Sequence, residues 1–119
     1  MSNPAKVKGA QFERDVVRAF VDRGFMCVER RYGAGRVADE GDLTGFTLPL
    51  VVECKNVARV DLATIVDEAR REAATTGQRT SRPHMAVSII KRRGKGAERA
   101  YCVLEFEDFA RLLGLAGCR

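Results

Sequence analysis

The sequence predicts a single α/β domain whose elements follow in the order α-β-β-β-α-β-β-α. Two observations carry this prediction: the 119 residues are enough for one hydrophobic core, and helix-like and strand-like apolar patterns alternate along the chain. No apolar run approaches the roughly 18 residues of a membrane span, and the N-terminus lacks the apolar core of a signal peptide. We therefore expect residues 1–119 to form one domain with no membrane contact and with residues 1–7 disordered.

The first helix is predicted over residues 8–23, because apolar residues recur there at helical spacing and Gly24 follows as a stop signal. Three strands are then expected, since short apolar or alternating runs are bounded by glycine-containing turns; they are residues 25–31, 42–46 and 48–56. The last two are predicted to pair as a hairpin that turns near residues 47–49.

The second half of the chain adds a helix, two strands and a short final helix. Asp61 is the predicted N-cap of the second helix, which is expected to end in the polar segment 75–83. Strands are predicted over residues 85–90 and 100–106, joined by a basic tip, and a helix over about 107–115 closes the chain. The charged residues of the second helix interpreted as a solvated face are Arg70, Arg71 and Glu72.

Charge and composition indicate the class of partner. Lysine and arginine number 21 against 16 aspartate and glutamate, so the net charge of +5 favours a polyanionic partner such as nucleic acid. Many small basic proteins bind nothing charged, so this balance alone leaves both possibilities open. His84 is the only histidine and lies beside Pro83 in a turn-like stretch, so neither a histidine-based zinc site nor a Ser-His-Asp triad is predicted. The four cysteines form no C-x-x-C pair, so no zinc knuckle is predicted either. The cysteine pattern favours reduced thiols in the cytoplasm.

The residues that carry chemistry lie in the predicted hairpin. Side chains alternate along a strand, so Glu53 and Lys55 share one face, while Cys54 faces the opposite side. The hairpin brings Asp42 close to Glu53, and two carboxylates converging with a backbone carbonyl make an oxygen-rich site for Mg²⁺. Lys55 is placed to hold an attacking water and to balance phosphate charge, as phosphodiester hydrolysis requires. The alternative is a surface ion pair between Glu53 and Lys55 on an edge strand, with Asp42 as a turn residue.

One carboxylate of the first helix extends this pattern. Glu13 borders the apolar stripe of the helix, four residues before Val17 and seven before Phe20. In that position we expect it to point along the sheet edge towards a metal ion. The alternative is an ordinary solvated charge on the helix surface.

Several short motifs stand in order along residues 8–56: Lys8-Gly9, Phe12-Glu13-Arg14, Gly24-Phe25, Arg30-Arg31, Gly33-Ala-Gly35, Gly41-Asp42-Leu43 and Val52-Glu53-Cys-Lys55. Together they resemble the archaeal-type Holliday junction resolvases of the PD-(D/E)XK, or restriction-endonuclease-like, nuclease superfamily, and also the small phage-encoded proteins of that kind. The resemblance implies a restriction-endonuclease-like domain with a central mixed β-sheet flanked by helices. The chain departs from the family at Gly41, where the motif has proline, and at residues 33–35, where the archaeal enzymes have a serine.

The resemblance also implies an activity and the residues that perform it. It implies a Mg²⁺-dependent endonuclease, with Mn²⁺ as a substitute, that acts as a homodimer and nicks two opposed strands of a four-way DNA junction. The family motif assigns the catalytic residues to Glu13, Asp42, Glu53 and Lys55. The implied metal ligands are Glu13, Asp42, Glu53 and the backbone carbonyl of Cys54. The dimer surface is expected on the exposed apolar part of the second or the C-terminal helix.

Basic residues around the predicted active site are the candidate contacts to branched DNA. They are Lys8, Arg14, Arg30, Arg31, Arg36, Lys91, Arg92, Arg93 and Lys95. A glycine-rich loop flanked by arginines lets backbone amides and paired donors approach phosphates, and the basic tip at residues 91–99 is placed to hold duplex arms. The alternatives are a solvated tip and, for Arg14, pairing with Asp15. Two further functions stay open: a nuclease of the same fold acting on flaps, nicks or linear duplex, and a non-catalytic DNA-binding protein.

Overall fold

The computed structural model of the chain describes residues 3–31 and 41–118. Over these residues the elements are α1 (Pro4–Val21), β1 (Glu29–Arg30), β2 (Leu43–Thr44), β3 (Leu50–Lys55), α2 (Leu62–Thr80), β4 (Met85–Ile90), a 3₁₀ turn (Ala97–Arg99), β5 (Tyr101–Val103) and α3 (Phe106–Leu115). The strands form one sheet in the spatial order β1-β2-β3-β4-β5, in which only β3 and β4 run parallel. The predicted α/β class with a mixed sheet is therefore confirmed.

The sheet is covered by a helix on each face. Val51 and Val52 are adjacent in β3 and point to opposite faces, where they join two separate buried clusters. Val52 belongs to the cluster that contains Phe12 of α1, and Val51 to the cluster that contains Ala69 and Ala73 of α2. Alanines on the inner face of α2 allow that helix to lie close to the strands. None of the helices in the described part of the chain has the length and apolar character of a membrane span.

The first helix begins at Pro4, earlier than the predicted residue 8, so residues 4–7 are helical rather than disordered. Asn3 caps it: its side-chain oxygen accepts a hydrogen bond from the amide of Ala5 at 2.9 Å, and Pro4 takes the first helical position, where no amide donor is needed. This Asn-Pro pair is a helix-start signal that outweighs the polar composition of the segment. Residues 1 and 2 lie outside the described residues. At the other end, Gly24 adopts a φ of 95°, as expected for the predicted stop.

The first two strands are shorter than predicted, since β1 and β2 have two residues each. Gly45 ends β2 with a φ of 99°, and it lies so close to the Cys27 carbonyl that any side chain would overlap that group. Gly41 precedes β2 with a φ of 90° and passes close to the backbone of Val52. Two left-handed glycines therefore confine the regular part of β2 to two residues.

The second helix starts as predicted and ends later. The Asp61 side chain caps it by accepting a hydrogen bond from the backbone amide three residues on, at 3.2 Å. The helix continues to Thr80, although the composition of residues 75–83 predicts a break. Gly77 suits the close return of the chain after the helix, because a β-carbon there would lie 3.3 Å from the carbonyl oxygen of Arg82, a tight contact. Ser81 then ends the helix in a left-handed conformation with a φ of 57°.

The last helix is held to the sheet by a buried carboxylate. Asp108, 2% exposed, lies in the first turn of α3; it accepts a hydrogen bond from the amide of Ala86 at 3.2 Å and one from Arg70 Nε at 3.3 Å. The Ala86 amide lies on the edge of β4 beyond the end of β5, so the carboxylate replaces a missing strand partner. Arg70 also binds Glu105 at 2.8 Å. It therefore links α2 to α3 and does not belong to the predicted solvated face.

Asp108→Ala is expected to lower the free energy of unfolding by about 2–4 kcal/mol, because it leaves the buried Ala86 amide without an acceptor and removes a charge-assisted bond to Arg70. Urea or thermal unfolding of the full chain measures this loss. Glu107, an exposed carboxylate in the same helical turn, is the control, and Glu107→Ala is expected to cost only about 0.5 kcal/mol. Equal effects of the two substitutions would contradict the role of Asp108.

Candidate functional site

The candidate site lies along β3, the middle strand of the sheet, beside the point where β2 begins. Asp42, immediately before β2, is held by the residues on either side of Glu53. Its amide donates to the Val52 carbonyl at 2.9 Å, and its Oδ2 accepts from the Cys54 amide at 2.7 Å. These two bonds fix the Asp42 carboxylate relative to the β3 backbone. The structure thus brings Asp42 to the Glu53 segment, as the predicted hairpin requires.

The backbone carbonyl of Cys54 lies at the same edge of β3. Along a strand, the amide and carbonyl of one residue point to one side and those of the next residue to the other. The carbonyls of Pro49 and Lys55 accept amides on the β4 side, whereas the amide of Cys54 donates to Asp42 on the β2 side. The Cys54 carbonyl therefore faces the side of the Asp42 carboxylate. The Asp42 carboxylate and the Cys54 carbonyl, two of the predicted metal ligands, therefore lie at the same edge of β3.

Glu53 is buried, with 7% of its surface exposed, and its Oε1 has no hydrogen-bond partner among the described residues. It points to the face covered by α2, as Val51 does two residues earlier. An ionised carboxylate without a partner is strongly unfavourable inside a protein, so this oxygen requires a cation, a proton or a bound water. Burial in the middle strand excludes the alternative of a surface ion pair on an edge strand.

Lys55 points to the same face and reaches the side of α2. Its Nζ lies 3.9 Å from Oε2 of Glu68, and the two side chains are 31% and 48% exposed. At this distance and exposure the ion pair is weak, so the ammonium group is loosely held. Lys55 is therefore able to contact an anion that arrives from solvent, such as a phosphate.

Glu13 of α1 is not the solvated charge of the alternative interpretation. Its Oε1 lies 3.1 Å from Nε of Arg30, and the Arg30 and Glu13 side chains are 21% and 16% exposed. Burial of the Cys54 thiol, together with the negative charges of Asp42 and Glu13, raises the pKa of that thiol. The thiol therefore stays protonated. The structure places Glu13 beside Arg30 on the side of the sheet covered by α1, whereas Glu53 and Lys55 point to the side covered by α2.

The predicted metal ligands do not all converge. Within residues 3–31 and 41–118, no three His, Cys, Asp or Glu side chains stand close enough together to share a metal ion. Glu13 contacts Arg30, whereas Asp42 is bound to the amide next to Glu53. The donor set offered by these residues is two carboxylates and the Cys54 carbonyl, and Mg²⁺ usually keeps several waters in protein sites.

Two candidate DNA contacts lie on the outer surface of α1, where Lys8 and Arg14 are both exposed. Arg14 donates to the Gln11 side chain at 3.0 Å, and Gln11 in turn donates to Asp15 at 2.8 Å. The predicted alternative of a direct pair between Arg14 and Asp15 is thus replaced by contact through a glutamine. Both cations remain accessible to a phosphate backbone.

Two further arginines lie directly beside the candidate site. Arg30 contacts Glu13, and the amide of Arg31 donates to the carbonyl of Asp42 at 2.9 Å. Their positions are set by the pairing of β1 with β2, which continues from the Asp42 segment. Arg36, the third arginine predicted near this loop, lies outside the described residues.

The basic tip between β4 and β5 has fewer free cations than predicted. Lys91 folds back and donates to the carbonyls of Arg92 and Lys95 at 3.3 and 3.2 Å. The guanidinium of Arg92 lies 4.6 Å from the centre of the Tyr101 ring, a cation–π contact. Of the four cations predicted here to contact DNA, Arg93 and Lys95 have exposed side chains.

Two residues beside the site were not identified by sequence reasoning. Glu68 is the partner of Lys55, and Ser88 of β4 is in register with Glu53. The sequence has no local signal for Glu68, because its role depends on how α2 lies against β3. For Ser88 the one available hint is a serine in an otherwise apolar strand.

Comparison with known proteins identifies no relative. No protein-family model, curated protein or solved structure matches the chain. The family resemblance therefore rests on the motifs within residues 8–56 and stays a prediction.

Proposed function

We propose that the chain is a Mg²⁺-dependent endonuclease of the restriction-endonuclease-like fold that cuts four-way DNA junctions. The observation that carries this proposal is Glu53, a buried carboxylate whose Oε1 has no partner among the described residues, beside a second carboxylate held by the same strand. Buried charge of this kind disfavours folding, and such local conflicts are concentrated at functional sites. The E-x-K spacing and the net charge of +5 support DNA as the substrate. The free cysteines support a reducing compartment such as the cytoplasm.

The residues at the site fit a hard divalent cation. Asp42 and Glu53 offer carboxylate oxygens and Cys54 offers a backbone carbonyl, which are the ligand types that Mg²⁺ and Mn²⁺ prefer. The unpartnered oxygen of Glu53 is the donor that most requires a cation. When bound, the ion supplies a water of lowered pKa and neutralises charge on the phosphate.

The remaining residues bind and orient the phosphodiester. Lys55 donates to a phosphate oxygen and offsets the charge that develops on it, because its loose pair with Glu68 leaves the ammonium group free to move. Arg30 holds a neighbouring phosphate oxygen through its guanidinium. Glu13 orients Arg30 through the contact between its Oε1 and Nε of Arg30 at 3.1 Å.

Replacing Arg93 and Lys95 together by alanine is expected to weaken junction binding and to lower the slope of log affinity against log salt by about one to two. Each is an exposed cation that releases a counterion on contact with phosphate. Binding titrations in EDTA at several salt concentrations measure both quantities. Arg71→Ala, on the exposed surface of α2, is the control and is expected to change neither. An unchanged affinity of the double variant at low and high salt would remove the tip from the DNA surface.

The proposal includes a homodimer, because paired cuts in a junction require two active sites related by a two-fold axis. α3 offers the surface for it: Phe106, Phe109 and Leu113 lie three or four residues apart and are 80%, 47% and 37% exposed. An apolar stripe on a helix surface is unfavourable in water, and self-association covers it. α2, the other predicted surface, exposes one large apolar side chain, Leu62, over its described length.

A synthetic four-way junction and a linear duplex of matching sequence, each incubated with Mg²⁺ and with EDTA, test this function. Symmetric paired nicks in the junction alone, dependent on Mg²⁺, are the expected result. Cleavage of both substrates would keep a nuclease and remove the junction selectivity. Tight junction binding without cleavage in Mg²⁺ or Mn²⁺ would overturn the enzyme and favour a non-catalytic DNA-binding protein.

A further inference from the structure

Ser88 of β4 is a second buried polar group next to the candidate site. It is 1% exposed, and its Oγ, like Oε1 of Glu53, has no hydrogen-bond partner among the described residues. It is also the only polar residue of β4, whose sequence is Met85-Ala-Val-Ser-Ile-Ile90. A buried hydroxyl without an acceptor is unfavourable, and an alanine would suit such a strand without that penalty. The serine therefore requires a specific partner.

The register of the sheet identifies that partner. Glu53 and Ser88 are paired positions of the parallel strands β3 and β4, so their side chains emerge side by side on the face covered by α2. Neighbouring strands lie about 4.8 Å apart, a spacing that serine and glutamate side chains bridge directly or through one buried water. No direct hydrogen bond joins Ser88 Oγ to Glu53 Oε1, so a buried water between them is the partner that satisfies both atoms.

We propose that Ser88 is a positioning residue for Glu53: its hydroxyl orients the Glu53 carboxylate through one buried water, and the negative charge of that carboxylate is left for the cation. This inference rests on the proposed function and deepens it, since it adds to the metal site a residue outside the family motif. A hydrogen-bonded neighbour fixes the orientation of a ligand and raises its affinity for the metal. Ser88 itself touches neither the cation nor the DNA.

Titration calorimetry of the full chain with Mn²⁺, in the absence of DNA, tests this role by a readout other than cleavage. Ser88→Ala is expected to weaken Mn²⁺ binding about tenfold, as loss of a partner of a metal ligand usually does. Ser88→Thr keeps the hydroxyl and is expected to restore binding to within about threefold of the original chain. Ser88→Cys, a weaker donor of nearly equal size, is expected to lie between serine and alanine.

Thr76→Val is the control, because it removes a buried hydroxyl from α2, outside the two strands that carry Glu53 and Ser88. We expect it to leave Mn²⁺ affinity unchanged. Equal affinity of Ser88→Ala and the original chain, or equal weakening by Ser88→Ala and Thr76→Val, would overturn the role of Ser88 and leave the proposed function intact. If the original chain, with Ser88 unchanged, binds no Mn²⁺, the proposed function itself is contradicted. The two failures are distinguishable, because only the second removes metal binding from every variant.

Discussion

Glu53→Gln is expected to lower the rate of junction cleavage by roughly a thousandfold while leaving junction affinity in EDTA unchanged. The substitution keeps the size of the side chain and removes the negative charge that holds the cation. Without the cation, the negative charge that develops in the transition state is no longer stabilised by a bound metal. Asp42→Asn is expected to act in the same way, because Asp42 is the second carboxylate of the site. Losing either charge also reduces repulsion of the phosphate, so DNA binding is not weakened.

Single-turnover cleavage at saturating Mg²⁺ and a mobility-shift assay in EDTA measure these two effects separately. Glu68→Gln is the matched control, since it neutralises a glutamate close to Lys55 that lies outside the proposed metal site. We expect this control to keep the cleavage rate within about threefold, as befits an exposed and weak ion pair. Near-original turnover of Glu53→Gln or Asp42→Asn in Mg²⁺ would contradict the proposed site.

Phe106→Glu combined with Phe109→Glu is expected to convert the protein from a dimer to a monomer, and its paired nicks to single nicks. The two charges replace the two exposed phenylalanines of α3 and repel their copies across a two-fold axis. Asp42, Glu53 and Lys55 all belong to one chain, so each monomer is expected to keep the ability to nick one strand. The coupling of the two cuts is lost, and the chemistry of each cut is retained.

Analytical ultracentrifugation measures the mass in solution, and a cruciform plasmid reports the coupling, since it becomes linear only when both nicks fall within one binding event. Leu62→Glu is the control, because Leu62 of α2 is 49% exposed, much as Phe109 is at 47%. It also tests the other predicted dimer surface, and we expect it to remain dimeric. A double variant that stays dimeric, or an original chain that is monomeric, would remove α3 from this role.

The fold follows from the sequence where the signals are local. β4 matches its predicted bounds, residues 85–90, and Asp61 caps α2 as predicted, because an apolar run and an N-cap act on neighbouring residues. The lengths of β1 and β2 were not predictable, since the close approach of Gly45 to Cys27 joins separate segments. The role of Gly77 was not predictable for the same reason, since the atoms closest to it belong to residues 82–84, after the end of the helix.

The candidate site was predictable as a motif, whereas its neighbours were not. The hairpin brings Asp42 to the Glu53 segment because a short antiparallel connection joins the two. The contact between Glu13 and Arg30 depends on how α1 packs over β1. The alignment of Glu53 with Ser88 depends on the register of two strands that are separated in sequence by the whole of α2. Spacing along the chain encodes neither of these contacts.

Amide spectra of the full chain titrated with Mn²⁺ test most directly whether Asp42 and Glu53 hold a divalent cation. Bound Mn²⁺ broadens the resonances of nearby amides, so the position of the ion is measured without DNA and without catalysis. We predict that the amides of Asp42, Glu53 and Cys54 lose intensity first, that those of α3 stay sharp, and that Glu53→Gln abolishes the effect. Selective broadening around Glu68 on α2, or no broadening at the Asp42 and Glu53 positions, would contradict the proposed metal site.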